Sequence, residues 1–582
     1  MADRNSSSET LNIGCHSSVA SAKEVDFDFY RNKIKWFLEK HQYLSALFWA
    51  DKVASLTKDD QKDIYTVAQC LYFTKQYHRA AHCIESRNLH KTDLTCRYLA
   101  ASSRFAGKEY KEALEILEQP AHETSILEQR DATEQQRLES SLQLLQGKIY
   151  EAMDNRTLAA ECYKKALRLD MFCYEAFEAL VKHQMLSREA EEEVLNTLSH
   201  NTTPEGELVR LLYATKVKKY DKPAPFEVPA ELHGLRENLD VATGMAEQCY
   251  YNCDYKRCYE ITSSVLNKDP FHTDCLPVHI SCLMELGKSN ALFYLAHRLV
   301  DMYPESAISW FAVGCYYFLN GKADAARRFL SKATVLDQVF GPAWLVYGHS
   351  FAVENEHDQA MAAYFKALQL MRGCHLPFLY IGLEYGLTNS TKLAERFFNQ
   401  ALAIAPHDPF VLHELGVVAF QSQDYAAAKN LFENALGMLG VDDLTVLPQK
   451  WEPLLNNLGH TCRKLRKFPE ALEYHQQALV LSPQNPSTLA AIGFIHSLTR
   501  DWAKAVEYFH KALGLQRDDT FSTTMLSHMI ERLMNEMPPC QGVPDVLPEY
   551  SSTSDSHVNE FSDMDPTNTT CPSLEFEMEG ND

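Results

Sequence analysis

The sequence predicts an all-α protein, a superhelical stack (α-solenoid) of about thirteen helix-turn-helix units, and three observations carry that prediction. Between Ser306 and Pro406 one pattern is written three times at a spacing of 34 residues. Trp310, Val313, Gly314 and Tyr317 precede Ala326, Leu330 and Ala333; Trp344, Tyr347, Gly348 and Phe351 precede Ala360, Tyr364 and Ala367; Phe378, Ile381, Gly382 and Tyr385 precede Ala394, Phe398 and Ala401. Within each copy the first four positions stand at i, i+3, i+4 and i+7, which is one face of a helix. Each set closes where a helix must stop, as at Pro406. Such a hairpin cannot bury its apolar faces alone, so the units must stack.

A 34-residue period carrying these residues is the tetratricopeptide signature. The glycine removes a side chain where the second helix crosses. The small residue twelve positions on, Ala360 or Ala394, is expected to meet it there. Tyr364 or Phe398, with the alanine three further, is expected to face the next unit. Gly314, Gly348, Gly382, Gly416, Gly459 and Gly493 are therefore assigned to packing between helices.

Residues 1–28 are polar and serine-rich and read as a disordered tail. Units then centre on Ile34 with Ala46, on Ala68 with Ala80, and on Ala101 with Ala113. Residues 118–138, charged and glutamine-rich, read as an insertion or long loop between units. The pattern resumes at Gly147, Tyr150, Ala159 and Tyr163, and a looser unit runs through Phe177 and Leu180. Residues 29–186 thus form an N-terminal array. Residues 187–240, with Pro223, Pro225 and Pro229, read as an irregular connector with helical pieces rather than a domain boundary. Residues 241–535 form a second array, entered through weak units at Ala246 and Ile280. It continues beyond Gly382 through Gly416, a nine-residue insertion at GVDDLTVLPQKWE, Gly459 and Gly493, and ends on a capping helix near Phe521–Leu533. Residues 536–582 hold no Lys or Arg and read as a disordered acidic tail.

The balance of charge is acidic, net −22, from 78 acidic and 56 basic residues. Nucleic acid is disfavoured without a basic patch, and no block of Lys and Arg supplies one. No run approaches the ~18 apolar residues of a membrane span. The 16 cysteines are scattered; Cys249, Cys253 and Cys258 come nearest to a cluster but lack zinc-ligand spacing. Reduced, buried thiols and a reducing compartment follow, with no signal peptide and no use for acceptor motifs such as Asn155-Arg-Thr157. No phosphate-cradling loop, nucleophile elbow or HExxH motif occurs. His349, His375, His413 and His460 read as packed or groove-lining. No catalytic residue, cofactor or metal is expected: this is a binding protein, not an enzyme.

The inner surface of such a stack is built by the first helix of each unit. Its expected lining is Phe311, Cys315 and Phe318; Leu345 and His349, with Ala352; Leu379 and Leu383; His413, Val417 and Phe420. Beyond the insertion it becomes polar and cationic: Asn456, Asn457, His460, Arg463 and Lys464. Such a wall suits an extended or helical peptide with an acidic or carbonyl-rich segment. The alternative is a chaperone-type adaptor gripping a C-terminal carboxylate, a reading that rests on Arg463 and Lys464. Thr203-Pro204 and Ser482-Pro483 fit minimal proline-directed phosphosites and equally fit helix-ending turns.

Several strings go beyond what the repeat dictates, among them YLSALFWADKVASL, LLQGKIYEAMDNRTLA, YYNCDYKRCYEITSSVLNKDPFHTDCLPVHI, GPAWLVYGHSFAVENEHDQAMAAYF and KWEPLLNNLGHTCRKL. Over about residues 30–530 the chain resembles the cell-division-cycle-sixteen family of anaphase-promoting complex (cyclosome) subunits. The resemblance implies a non-catalytic scaffold of a ubiquitin ligase acting in the cell cycle, in nucleus and cytoplasm. It implies a homodimer through roughly Phe29–Leu180. It further implies a small accessory subunit held along about Ala246–Leu513, with other repeat subunits stacked alongside.

Overall fold

The computed structural model describes residues 26–119, 132–198, 204–217, 237–439 and 447–536, with positions 220, 234 and 235. Outside them lie most of the serine-rich start, residues 120–131 of the expected loop, Thr203, Pro223, Pro225 and Pro229, residues 440–446 of the insertion, and the acidic tail from Met537. Among the described residues the regular structure is helical, and the chain divides into two compact units between Ala176 and Phe177.

The first unit holds α1 (Phe27–Glu39) and α2 (Tyr43–Leu56), α3 (Gln61–Phe73) and α4 (Tyr77–Glu85), and the short α5 (Leu89–Thr92). It continues with α6 (Leu94–Ala106) and α7 (Tyr110–Glu118), then α8 (Ala132–Ala152) and α9 (Arg156–Leu169). Helix α8 begins at Ala132, so the last seven residues expected in a loop are helical instead; this run, ATEQQRL, lacks Gly and Pro. Buried side chains of α1–α4 (Ile34, Ala46, Val53, Ile64) form one core, and those of α3–α8 (Ala68, Ile84, Leu99, Ile149) the next.

Helix α10 (Tyr174–Lys182) leads into the second unit, followed by α11 (Arg188–Leu198) and α12 (Pro204–Lys216), the helical pieces of the expected connector. The pairs are then α13 (Leu239–Tyr251) with α14 (Tyr255–Lys268), α15 (Cys275–Glu285) with α16 (Ser289–Met302), and α17 (Ala307–Leu319) with α18 (Ala323–Leu336). Next come α19 (Gly341–Ala352) with α20 (His357–Leu370), α21 (Leu376–Leu387) with α22 (Thr391–Ile404), and α23 (Pro409–Gln421) with α24 (Tyr425–Met438). After a 3-10 turn, Gln449–Trp451, follow α25 (Glu452–Lys464) with α26 (Phe468–Leu481), α27 (Pro486–Leu498) with α28 (Trp502–Leu515), and the closing α29 (Thr520–Glu536).

Helix starts follow from capping chemistry. Asp408 caps α23 by accepting from the amides of Phe410 and Val411, and Asn485 caps α27 through Ser487 and Thr488, each just before a proline whose missing N–H costs nothing there. The turn inside each hairpin is set by one left-handed residue. Gly287, Gly321, Asn355, Asn389 and Gln423 hold φ between 59° and 67° at 34-residue intervals, and Arg466 and Arg500 repeat the device after the insertion. There the Asn355 amide donates to Ala352 (2.9 Å) and the Glu356 amide to Phe351 (3.1 Å), closing the carbonyl end of α19.

The crossing inside each hairpin differs in one respect from the sequence expectation. A Cβ on Gly348 would meet the ring of Tyr364; on Gly382, Phe398 at 2.5 Å; on Gly416, Phe432 at 2.5 Å; on Gly314, Leu330 at 2.5 Å; on Gly459, His475 at 2.5 Å. The residue that fills the missing side chain's place is therefore the large one sixteen positions on. Ala360 and Ala394, expected to meet the glycine, are fully buried elsewhere in the same interfaces. A side chain tilts back toward its helix's N-terminus, which carries the ring at i+16 over the glycine. Gly493 is looser, its Cβ position lying 3.3 Å from Phe509.

Candidate protein-binding channel

The first helices of the second unit do line an inner side, but many expected lining residues are spent inside the stack. Phe311 and Cys315 are 0% exposed and belong to the core shared by α15–α19, where Phe311 packs edge-on to Phe340 at 5.2 Å. A ligand cannot touch either. Leu345, His349, Leu379, His413 and Arg463 are buried as well. Phe318, Leu383, Val417, Phe420, Asn456, Asn457, His460 and Lys464 keep partial exposure. The physical reason is that consecutive first helices pack side by side, so the residue three positions before the glycine (Phe311, Leu345, Leu379, His413) meets the neighbouring helix before it meets the groove.

His349 is buried against the neighbouring first helix as well. Its Nδ1 lies 2.7 Å from the Tyr364 hydroxyl and its ring stands edge-on to Tyr380 at 4.2 Å. Burial pushes the imidazole down to about 3, so it is neutral at physiological pH. His475 replaces the usual ring over the glycine, and burial holds it, too, well below the ordinary histidine range. Its Nδ1 donates to Asn456 Oδ1 at 2.9 Å.

The polar stretch beyond the insertion is largely satisfied internally. Asn456 Nδ2 donates to Thr488 Oγ1 (2.7 Å) and to Glu452, which also accepts from Asn485 Nδ2 (3.0 Å) and Thr488 Oγ1 (3.1 Å). Burial raises the Glu452 carboxyl above the usual range, against the pull of these donors. Asn457 Nδ2 lies 2.9 Å from His413 Nε2. The Arg463 guanidinium lies over the Phe494 ring at 5.0 Å and Lys464 over Tyr425 at 5.9 Å. With Arg463 buried against a ring, the two cations do not stand together as an open carboxylate clamp.

Sequence reasoning missed the residues that fill the centre of this unit. They come from hairpins distant in sequence. The Gly373 amide donates to the Gln184 carbonyl at 2.7 Å, and Gln184 Nε2 to the Tyr251 hydroxyl at 2.8 Å. His375 stands edge-on to Tyr220 at 5.0 Å, and its Nε2 approaches Asp408 Oδ2 to 2.7 Å outside hydrogen-bonding geometry. Lys450, from the end of the insertion, lies over the Tyr255 ring at 3.8 Å and 3.7 Å from Glu285 of α15. Burial raises the Glu285 carboxyl, and Lys450 opposes that rise. Tyr250, Tyr251, Tyr255 and Tyr380 are held far above the ordinary phenol range by burial. This tyrosine-rich interior, with Lys450 beside Glu285, is the candidate channel. The run YYNCDY at 250–255 and the QKW of the insertion were its only signals in sequence.

Among the described residues there is no cluster of three or more metal-ligating side chains, and no helix is long and apolar enough to cross a membrane. The described cysteines are free thiols, and burial raises Cys70 to about 11 and Cys275 to about 12.

Comparison with known proteins fits this architecture. Residues 39–120 match the family model described as anaphase-promoting complex, cyclosome, subunit 3, and residues 140–170 and 453–485 match tetratricopeptide-repeat models. The chain is 57% identical over 529 residues to the human cell division cycle protein 16 homolog, covering 88% of this chain and 85% of that one. It is 40% identical to anaphase-promoting complex subunit 6 of Arabidopsis thaliana, covering 87% and 96%. Among solved structures, the crystal structure of the APC/C hetero-tetramer Cut9-Hcn1 matches with a TM-score of 0.76 at 31% identity, over 87% of this chain and 96% of that one.

Proposed function

This chain belongs to the family of cell division cycle protein 16 and anaphase-promoting complex subunit 6, and on that premise we propose that it is a non-catalytic repeat scaffold of the ubiquitin ligase. In this reading it joins other repeat subunits of the complex, works in nucleus and cytoplasm, and supports ubiquitination of cell-cycle regulators without transforming a substrate itself. The observation that carries the proposal is the extent of the likeness, which runs through both arrays.

Two finer assignments belong to the same reading. The first unit pairs with a second copy of this chain through α1–α3. Phe29, Trp36, Leu44, Phe48, Leu56 and Phe73 are each more than 40% exposed there, more large apolar surface than a lone unit ordinarily leaves to water. A hetero-tetramer made of two proteins, as described for the matched structure, needs at least one of them in more than one copy. The second assignment places the N-terminal segment of a small accessory subunit in the channel of the second unit. Tyr250, Tyr255, Tyr380, Leu383, Val417, Phe420, Asn457 and His460 supply the partly open walls, an apolar and aromatic lining with few polar groups that suits an extended peptide. The repeat fold and its six crossing glycines set the spacing of those walls.

The test is a native-mass measurement of the chain alone and with its co-purifying partners. We expect a dimer that Leu44→Asp with Phe48→Asp converts to monomer. We expect an accessory subunit that Leu383→Glu releases while the dimer persists. A monomer at micromolar concentration, or an accessory subunit indifferent to Leu383→Glu, would overturn the corresponding assignment; absence of other complex subunits would overturn the scaffold itself.

A further inference from the structure

We propose that the outer face of α16 and α18 is the docking site of this chain's own acidic C-terminal segment, residues 537–582. The dimer and accessory-subunit assignments above use the first unit and the inner channel and do not involve this face. On α16, Tyr294, Arg298 and Met302 stand at i, i+4 and i+8 and form one outward stripe. One repeat on, the equivalent positions of α18 are Arg328, Lys332 and Leu336, with Val335 beside them. Tyr294 is 73% exposed and Val335 72%; Met302, Tyr303 and Leu336 are exposed too. Apolar groups so open on adjacent hairpins, with Met302 and Leu336 at matching positions, mark a covered surface rather than scattered residues.

Charge says what covers it. Arg298, Arg328 and Lys332 are exposed and none has an ion pair among the described residues. Arg298 lies over the Phe271 ring at 4.8 Å and Lys332 over Trp310 at 3.2 Å, which holds their charged ends beside the apolar stripe. The exposed carboxylates along these segments are Asp301, Glu305, Asp324 and Asp337, of which Asp324 is already taken by Arg327 at 2.6 Å and Asp337 accepts the Val339 amide at 3.0 Å. This is a positive, apolar face on a chain of net charge −22, so a free acidic partner meets long-range repulsion from the rest of the molecule. A tethered one overcomes it through effective concentration. Residues 537–582 supply ten Asp or Glu, no Lys or Arg, and the aromatic anchors Tyr550, Phe561 and Phe576. Five hairpins separate α18 from α29, roughly 60 Å at about 10 Å per layer. Forty-six residues reach about 150 Å when extended, so the segment spans the distance with slack.

The experiment treats the full chain with a water-soluble carbodiimide, which couples a lysine amine to a carboxylate in contact with it, and maps the joined peptides. The sample is an equal mixture of nitrogen-15-labelled and unlabelled protein, dissociated and reassociated so that the copies of any dimer are exchanged. Lys332 should be joined to residues 545–582 within chains of a single isotope. Arg298→Glu with Arg328→Glu, both at exposed positions, should lower that yield about fivefold with helical content unchanged, as should 1 M salt. Mixed-isotope products would put a second copy's tail on the face, and absence of any Lys332 product would leave the tail elsewhere; either overturns the proposal.

Discussion

At the scale of single residues, the crossing glycines and buried histidines carry the most defined consequences. Gly348→Ala drives a methyl into the Tyr364 ring, whose hydroxyl is tied to His349, so the ring cannot swing away without losing that bond. We expect a cost of about 1–3 kcal/mol by overpacking. Gly493→Ala meets Phe509 only at 3.3 Å, and the helix preference for alanine, worth about 1 kcal/mol, offsets most of the crowding. Urea midpoints of the two variants should therefore separate, and equal losses would contradict the crossing geometry. His349 gives a pH dependence. Its folded value of about 3 lies below the ordinary 6.5, so the unfolded chain binds a proton that the folded chain refuses. The stability it secures is full above pH 6.5 and falls as pH drops toward 3, by about 2 kcal/mol at pH 5. His349→Gln, which does not titrate, should flatten the fall in urea midpoint between pH 7 and 5. An unchanged slope would mean that the ring is wetter than its burial implies.

At the scale of elements, the row of left-handed turns was half legible in the sequence. Gly287, Gly321, Asn355 and Asn389 announce a positive φ by residue type, 34 apart; Gln423, Arg466 and Arg500 occupy the same conformation with no such announcement. A branched or long side chain in that region costs about 1–2 kcal/mol, of which a glycine's greater unfolded-state freedom returns part. Gln423→Gly and Arg466→Gly should each stabilise the second unit by about 0.5 kcal/mol, additively because different hairpins carry them. A thermal scan that showed either variant less stable would mean that the side chain does something in the turn beyond enduring it. The same contrast explains which helices were foreseen. Asp408-Pro409 and Asn485-Pro486 mark starts, and the 34-residue period marks cores. Charge and glutamine content, by comparison, misplaced the beginning of α8, because polar composition describes an exposed helix as well as a loop.

At the scale of the whole second unit, the period predicts neighbours and is silent about hairpins that meet across the channel. Phe311 and Cys315 were read as groove-lining because the repeat defines inward positions relative to one helix, whereas burial depends on how closely the next first helix approaches. Tyr255, Glu285 and Lys450 meet through a curvature that no local pattern encodes. Lys450 is the residue to change. It comes from the insertion that shifts the 34-residue period after Gly416, lies against Tyr255, and approaches Glu285 without a hydrogen bond of its own. Replacing it by glutamate sets two carboxylates against each other near an already burdened Glu285, at a cost of several kcal/mol if one partner of a half-buried pair is reversed. That strain falls on the contact between α15 and the insertion and spares the crossing inside each hairpin. Lys450→Glu should therefore leave helical content unchanged while hydrogen exchange quickens at Tyr250–Tyr255 and Gln449–Trp451, and an accessory subunit bound in the channel should dissociate faster. Lys450→Met, which keeps the stem over Tyr255 and removes the charge, should retain most of the protection. If the two variants exchange alike, packing rather than charge holds the channel together, and the insertion is a spacer.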